Sequence, residues 1–150
     1  MESQKKLHYL IPDILAKIIK ANEFSNKTYI SSVFDQSIQD YDIKEYLKRI
    51  IKYSKLERST LIYALCLIDM LCLKEIILIT KRNIHVILLT ACVLAVKMNE
   101  DVHYRDIDYA WVGKISTKSM FTSESLFAAC LDFKLHVNSE LYNLYSNALS

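Results

Sequence analysis

Residues 83–101, NIHVILLTACVLAVKMNED, decide the fold. The stretch is apolar at almost every position before Lys97, so a helix formed by it has no polar face to turn toward water. Thr80 or Asn83 can cap its start, because either side-chain oxygen can accept an unpaired backbone N–H. At the other end the sequence becomes charged from Lys97 to Asp101. The stretch therefore predicts a buried central helix that is surrounded by other helices and reaches the surface at one lysine.

The composition of the whole chain supports a helical protein. The chain has 150 residues, of which 52% are hydrophobic, but it contains one glycine and one proline. Hairpins and β-sandwiches need glycine, proline and asparagine–glycine pairs in their turns. A chain of this length is large enough for one domain with a substantial core. We therefore predict a single all-α domain over residues 1–150.

Charge and cysteine content argue against several classes of protein. The net charge is +2, and basic and acidic residues alternate, so the sequence shows no basic stripe for nucleic acid. No apolar run reaches the length of a membrane span. The four cysteines, Cys66, Cys72, Cys92 and Cys130, lie in apolar runs without the paired spacing of a zinc site. We expect free thiols and an intracellular protein of the cytoplasm or nucleus, without a membrane, nucleic-acid or small-molecule partner.

Apolar periodicity places the first helix at residues 7–24. Residues 1–6 are polar and are expected to be loose, and Leu10, Ile14 and Ile18 share the face that should be buried. Pro12 is expected near the start of the regular helix, where its missing N–H has no cost. Residues 25–41 predict a connector pinned to the surface by apolar anchors, namely Tyr29, Ile30, Val33, Phe34 and Ile38.

The remaining pattern predicts six further helices. Their expected ranges are 42–55, 56–75, 83–101, 106–112, 119–131 and 138–149, with an extended connector at 76–79. Gly113 is expected to end the fourth of these at its C′ position. Glu124 then falls in the first turn of the following helix, and Lys97 falls at the end of the central one. Each charge has a simple explanation there, since helix ends favour a carboxylate at the start and a cation at the end.

No catalytic or metal site is predicted, and no cofactor. His85 and His103 lack partners that would complete a metal site, and Asp106 and Asp108 are two residues apart on a helix and so point to different sides. All four cysteines have apolar neighbours, which does not favour a reactive thiolate. Trp111, with Tyr104 and Tyr109, is expected to fill the core. Lys97 and Glu124 could instead form two polar contacts beside an apolar docking patch.

Two motifs in this sequence resemble the cyclin box. LLTACVLAVKMNED is similar to the family's apolar helix that ends in Ala-x-Lys and acidic residues, and SESLFAACLDFKL resembles the helix that carries its partner glutamate. IKEYLKRIIKY, LIYALCLIDML and DVHYRDIDYAWVGKIS resemble the single-box P- or U-type branch of phosphate signalling, and so does IPDILAKIIKANE before the box. One departure is Met70, where the family usually has arginine.

The resemblance implies a five-helix cyclin box at residues 42–135 with an additional N-terminal and a C-terminal helix. It implies a non-catalytic regulatory subunit whose partner is the catalytic subunit of a cyclin-dependent kinase. In the family the lysine and glutamate hold backbone groups of the kinase, which carries over to Lys97 and Glu124. The apolar surface that would receive the kinase's regulatory helix is Met98, Phe127, Ala128 and Phe133, with Leu94 behind them. The alternative is a cyclin-fold adaptor that binds a transcription or nucleic-acid partner without activating a kinase.

Overall fold

The protein is all-α. A computed structural model describes residues 2–25, 27, 29, 31–36, 38 and 41–150, with backbone alone for residues 2–5. Within these ranges it contains seven helices and no strand, which confirms the predicted fold class. The helices are α1 (Glu2–Glu23), α2 (Ile43–Ser54), α3 (Arg58–Lys74), α4 (Ile84–Asn99), α5 (Asp106–Gly113), α6 (Thr117–Cys130) and α7 (Ser139–Ala148). That the seven form one domain remains a prediction from chain length.

Helix α4 lies at the centre of the bundle, as its composition predicts. Every residue from Val86 to Val96 is buried, and α3 and α6 are its main neighbours. Asn83 stands at its N-cap position, but its side chain does not cap the helix. It binds the preceding loop instead, accepting from the Thr80 N–H at 2.9 Å and donating to the Leu78 carbonyl at 2.8 Å. The predicted capping bond is therefore wrong, while the predicted burial is right.

The first helix differs from its prediction in start and in buried face. It begins at Glu2, so Pro12 lies in its interior rather than near its start. The fully buried stripe is one position away from the expected one and consists of Leu7, Ile11, Leu15 and Ile19. Leu10, Ile14 and Ile18 are half-buried beside it. Two adjacent stripes are apolar in this sequence, and the periodicity of one helix cannot say which of them faces the core.

The connector before α2 is anchored at its middle. Phe34 is fully buried and meets Phe127 of α6 edge to face, with ring centroids 6.3 Å apart. Tyr29, Val33 and Ile38 are half-buried, and Ile30 lies outside the described residues. The predicted anchoring is confirmed for Phe34, which reaches the helix that carries Glu124.

Gly113 has a packing role rather than the predicted C′ role. It is the last residue of α5, and the left-handed position after the helix belongs to Lys114, at φ 58°. A Cβ on Gly113 would lie 2.1 Å from Leu89 Cδ2, and the Tyr46 hydroxyl donates to the Gly113 carbonyl at 2.5 Å. The missing side chain therefore lets α5 approach α4 and α2 closely.

Helix α6 begins two residues earlier than predicted. The Ser116 hydroxyl caps it by accepting from the Ser119 N–H at 3.0 Å. Glu124 consequently lies in the middle of α6, not in its first turn. Attraction to a helix N-terminus therefore does not explain this carboxylate. The bounds of α2, α3 and α7 agree with the sequence to within two residues, and Asn138 caps α7.

Candidate functional site

Three charged side chains from three helices meet at one edge of the bundle. The Lys97 ammonium, in the last turn of α4, donates to Asp106 Oδ1 at 2.6 Å and to Glu124 Oε1 at 2.7 Å. The lysine side chain is 31% exposed, whereas those of Asp106 and Glu124 are 9% and 11% exposed. We call this group the Lys97 triad. It joins the end of α4 to the start of α5 and the middle of α6.

The sequence predicts two members of the triad, Lys97 and Glu124, but not the third, Asp106. Lys97 and Glu124 were expected to act together, but as separate contacts to a partner and not as a pair with each other. Asp106 was considered only with Asp108, and the structure shows the two apart: Asp108 faces Arg105 at 3.6 Å. The sequence offered one signal for Asp106. Residues 100–105 form a short link between α4 and α5, so Asp106 at the start of α5 must lie near Lys97 in the last turn of α4.

Burial and the contacts within the triad shift the pKa values of Glu124 and Asp106. Burial and the neighbouring carboxyl of Asp106 together raise the pKa of Glu124 to about 7, against the opposing effect of Lys97. Burial also acts to raise the pKa of Asp106, but hydrogen bonds from Glu124 and Lys97 outweigh it and hold this pKa below its usual value. Asp106 Oδ2 is buried without another hydrogen-bond partner. Glu124 is therefore the carboxyl of the triad that carries a proton in part of the molecules near neutral pH, whereas Asp106 is ionised.

The predicted apolar surface is only partly a surface. Phe133 is 75% exposed and Met98, next to Lys97, is 45% exposed. Ala128 is half-buried and Leu94 is 6% exposed, behind the surface as expected. Phe127 is fully buried against Phe34, so it supports the surface from below and is not accessible to a partner in this conformation.

The backbone holds Phe133 outward. Asp132 and Phe133 both have left-handed φ angles, 54° and 59°, which non-glycine residues seldom adopt. The Phe133 N–H donates to the Ala128 carbonyl at 2.8 Å, closing the end of α6. A large exposed aromatic side chain on a strained backbone is unfavourable for an isolated chain. It is a feature often found where a partner binds.

The described part of the chain gives little support for a metal site, a reactive cysteine or a membrane span. No group of three His, Cys, Asp or Glu side chains there is arranged to hold a metal ion. Burial raises the pKa of the thiols of Cys66 and Cys72 to about 11 and that of Cys92 to about 12. These thiols are therefore poor nucleophiles. None of the described helices combines the length and the hydropathy that crossing a bilayer requires.

Trp111 does not fill the core as expected. It is 61% exposed, and Tyr104 is 44% exposed, while Tyr109 is buried as predicted. Trp111 follows the buried Ala110 and precedes the buried Val112 on the short helix α5. Aromatic character alone misled the prediction, because the buried residues of α5 lie on one face of the helix and Trp111 lies on the opposite face.

Comparison with known proteins identifies the fold. The family profile for cyclins matches residues 11–135. The chain is 30% identical over 142 residues to Cyclin-U2-1 of Arabidopsis thaliana, an alignment that covers 91% of this chain and 64% of that one. It is 34% identical over 117 residues to Cyclin-U2-2 of the same plant, covering 77% of this chain and 51% of that one.

A rice protein gives the same result. Cyclin-P3-1 of Oryza sativa subsp. japonica is 32% identical over 145 residues, covering 93% of this chain and 61% of that protein. The chain thus spans between half and two thirds of the length of these relatives. The match covers all of the box helices and the Lys97 triad. The chain therefore belongs to the cyclin family, in its P/U-type branch.

Proposed function

We propose that this protein binds the catalytic subunit of a cyclin-dependent kinase and stabilises its active conformation, without catalysing a reaction itself. The observation that carries the proposal is the Lys97 triad at the rim of an exposed apolar surface. A cyclin of this branch needs such a surface to hold a kinase. Cyclin membership supports the regulatory role in general, and the triad supplies a specific way of performing it.

The triad is suited to binding backbone groups of a partner. An ammonium has three N–H donors, of which Lys97 uses two on its own carboxylates. The third is free to donate to a partner carbonyl, and the side chain is exposed enough to reach one. Glu124 binds Lys97 through Oε1, and in the ionised form of Glu124 its Oε2 can accept from a partner N–H. Because both groups are already positioned, binding costs little side-chain entropy.

The apolar surface would supply most of the affinity. Exposed Phe133 and Met98 can be covered by a partner helix, and central aromatic side chains commonly dominate binding energy. Signalling interfaces of this kind bury on the order of 2,000 Å² or more. Charged groups at the rim then fix the register of the partner more than they add to affinity.

Activation follows from a shift in the kinase's own equilibrium. A protein kinase is active when its regulatory helix is turned inward, so that the helix glutamate pairs with the lysine at the ATP site. A rigid partner that binds the inward form more tightly raises the population of that form. No residue of the cyclin has to enter the active site for this to occur.

The structure improves the design of the obvious mutational test. Lys97→Glu alone would place three carboxylates together, so lost binding could simply reflect lost stability. The double variant Lys97→Glu, Glu124→Lys keeps one cation and two carboxylates in the triad and reverses the polarity offered to a partner at positions 97 and 124. It therefore separates the contact with a kinase from the integrity of the fold.

The test is capture from a lysate of the protein's own cells, with the captured proteins identified by mass spectrometry. Wild type should retain a cyclin-dependent kinase, and the double variant should retain at least about tenfold less at equal helicity. Equal retention by the two proteins would refute the role of the triad. Capture of a transcription or nucleic-acid partner in place of any kinase would instead support a cyclin-fold adaptor.

A further inference from the structure

The outer face of α2 carries a short basic stripe, which the alternation of basic and acidic residues along the sequence did not predict. Lys44, Lys48 and Lys52 recur every four residues and therefore lie on one side of the helix. Arg49 lies beside them, and Glu45 is the one acidic residue within α2. In the described part of the chain, Lys48 alone among these cations meets a carboxylate, that of Glu45 at 3.9 Å. Most of the positive charge on this face is not neutralised by the protein itself.

Aromatic rings take the place of carboxylates on this face. The Arg49 guanidinium lies 5.0 Å from the ring centroid of Tyr53 and 5.0 Å from that of Trp111. Lys44 lies 4.0 Å from the ring centroid of Tyr9. Rings hold a cation in place without cancelling its charge. The face formed by Lys44, Lys48, Arg49, Lys52, Tyr53 and Trp111, which we call the basic–aromatic face, thus stays positive.

An apolar cleft opens at one end of this face. Trp111 is 61% exposed and Tyr53 is 40% exposed, and their rings meet edge to face at 5.3 Å. The cleft has a volume of about 240 Å³ and is lined by Tyr53, Tyr104, Asp108, Tyr109, Trp111 and Val112. This volume suits one large apolar side chain rather than a small-molecule ligand, whose sites are usually above about 300 Å³.

We propose that the basic–aromatic face binds an acidic segment of a partner protein, with one large apolar side chain of that segment in the Trp111 cleft. Charge complementarity selects the acidic residues, since Lys44, Arg49 and Lys52 form no ion pair with a carboxylate of the described residues. The exposed aromatic rings select the apolar residue. Each requirement comes from a different observation, and together they describe a short peptide motif.

The spacing of the lysines fits an extended chain. Successive lysines four residues apart are separated by about 6 Å along a helix. Alternate residues of an extended segment, which point to the same side, are separated by about 6.6 Å. An extended segment with acidic residues at alternate positions could therefore face Lys44, Lys48 and Lys52 in turn.

A protein segment fits this face better than nucleic acid does. The stripe from Lys44 to Lys52 is about 12 Å long, which is short for a backbone that carries a phosphate at every nucleotide. Asp108 lies in the cleft lining and would repel a phosphate there. The chain as a whole has a net charge of only +2.

This inference does not depend on the proposed function. None of the residues of the basic–aromatic face belongs to the Lys97 triad or to the exposed apolar surface of Phe133 and Met98, which we call the Phe133 surface. A chain that binds no kinase could still bind an acidic segment, and the reverse also holds. A partner held here could be brought to a kinase bound at the triad.

The chain provides its own probe for the test. Trp111 is the single tryptophan in the sequence, so intrinsic tryptophan fluorescence reports on the cleft alone. The probe is a tryptophan-free synthetic peptide, acetyl-Phe-Glu-Asp-Glu-Asp-Glu-Asp-amide, titrated into the purified full chain. Its phenylalanine and its three aspartates lie on the same side of an extended segment. We expect a saturable change in Trp111 fluorescence that weakens as salt is raised.

Matched variants locate the binding. Lys48→Glu with Lys52→Glu should weaken binding about tenfold or more. Lys17→Glu with Lys20→Glu makes the same change in net charge on exposed positions of α1, and should leave the affinity within about twofold. Circular dichroism checks that both double variants fold.

Changes in the peptide test the proposal without altering the protein. Replacing its phenylalanine by serine, or all its acidic residues by their amides, should each weaken binding to wild type about tenfold. Three results would overturn the proposal: no saturable response to the parent peptide, equal binding of the serine peptide, or equal effects of the two charge variants. Tighter binding of a single-stranded oligothymidine would assign the face to nucleic acid instead.

Discussion

The Lys97 ammonium lies 2.6 Å from the carboxylate of Asp106. This contact means that the lysine with which a cyclin would hold its kinase is already bound within its own chain, to Asp106 and also to Glu124. The two carboxylates keep the lysine charged, because their hydrogen bonds raise its pKa despite partial burial. They also orient its remaining N–H. The triad is therefore a prepared contact, and its properties can be tested without a partner.

Asp106 should control the proton on Glu124. Asp106→Asn removes a carboxylate that destabilises ionised Glu124, so the pKa of Glu124 should fall from about 7 toward its ordinary value. The measurement is titration of the Glu124 side-chain carboxyl by ¹³C NMR. Asp108→Asn is the matched control, because Asp108 faces Arg105 and should not affect this carboxyl. An unchanged pKa of Glu124 in Asp106→Asn would show that the two carboxyls are not coupled.

The free energy of unfolding should depend on pH through Glu124. Its pKa is about 7 when folded and near 4.5 when unfolded, so the folded state binds the proton more tightly. The contribution to stability is fully present below pH 4.5 and is lost as the pH rises through 7, a decrease of roughly 1–3 kcal/mol.

Glu124→Gln isolates this effect, because glutamine does not titrate. Burial lowers the pKa of His8 and of His85, which makes the folded state more stable as the pH rises over part of the same range. The quantity to measure is therefore the difference in unfolding free energy between wild type and the variant, by urea denaturation from pH 5 to 8. A difference that does not vary with pH would contradict the raised pKa of Glu124.

Phe133 should matter for binding and not for stability. Phe133→Gly removes an exposed side chain and suits the left-handed backbone at φ 59°, so the free energy of unfolding should change by less than about 1 kcal/mol. Kinase binding should weaken about tenfold or more if Phe133 is a central contact. Phe127→Ala should instead lower the free energy of unfolding, by about 3–5 kcal/mol, because Phe127 is fully buried.

Leu144→Ala is the control for Phe133→Gly. Leu144 is similarly exposed, at 66%, but lies on α7. It should change neither stability nor kinase binding, as calorimetry and a binding titration can show. Equal loss of kinase binding in the two variants would mean that binding does not depend specifically on the Phe133 surface.

Gly113 should tolerate no side chain. In Gly113→Ala the new Cβ would meet Leu89 Cδ2 at 2.1 Å, and such overpacking should cost about 1–3 kcal/mol even though alanine favours the helix. Leu89→Ala removes the obstructing atoms and costs stability by itself. The double variant should therefore be more stable than the sum of the two single changes predicts. The measurement is chemical denaturation of the three variants. If the two single changes in unfolding free energy simply add in the double variant, the new Cβ does not clash with Leu89.

The helices were predictable where a pattern has a single solution. An all-round apolar run such as that of α4 can only be buried, and Asn138 before the last apolar segment marks the start of α7. The face of α1 was not predictable, because two neighbouring stripes are apolar. The start of α6 was missed because its first turn is polar and its cap, Ser116, follows directly after the loop.

The site was half predictable for a related reason. Lys97 stands out as a charge at the end of an apolar run, and the resemblance pairs it with Glu124. Asp106 has no such signal, since only the folded chain brings the start of α5 under the end of α4. Trp111 shows the converse error. Its residue type suggested the core, but it lies on the face of α5 opposite to the buried residues.

The most direct test of the proposed function is activation of the kinase that this chain captures. The purified catalytic subunit is titrated with wild-type chain and with the double variant Lys97→Glu, Glu124→Lys, and phosphorylation of a peptide substrate is measured at each concentration. Wild type should activate the kinase saturably, and the variant, equally folded, should need at least about tenfold more protein for the same activity. Equal activation by both proteins, or none by wild type, would contradict the proposed function.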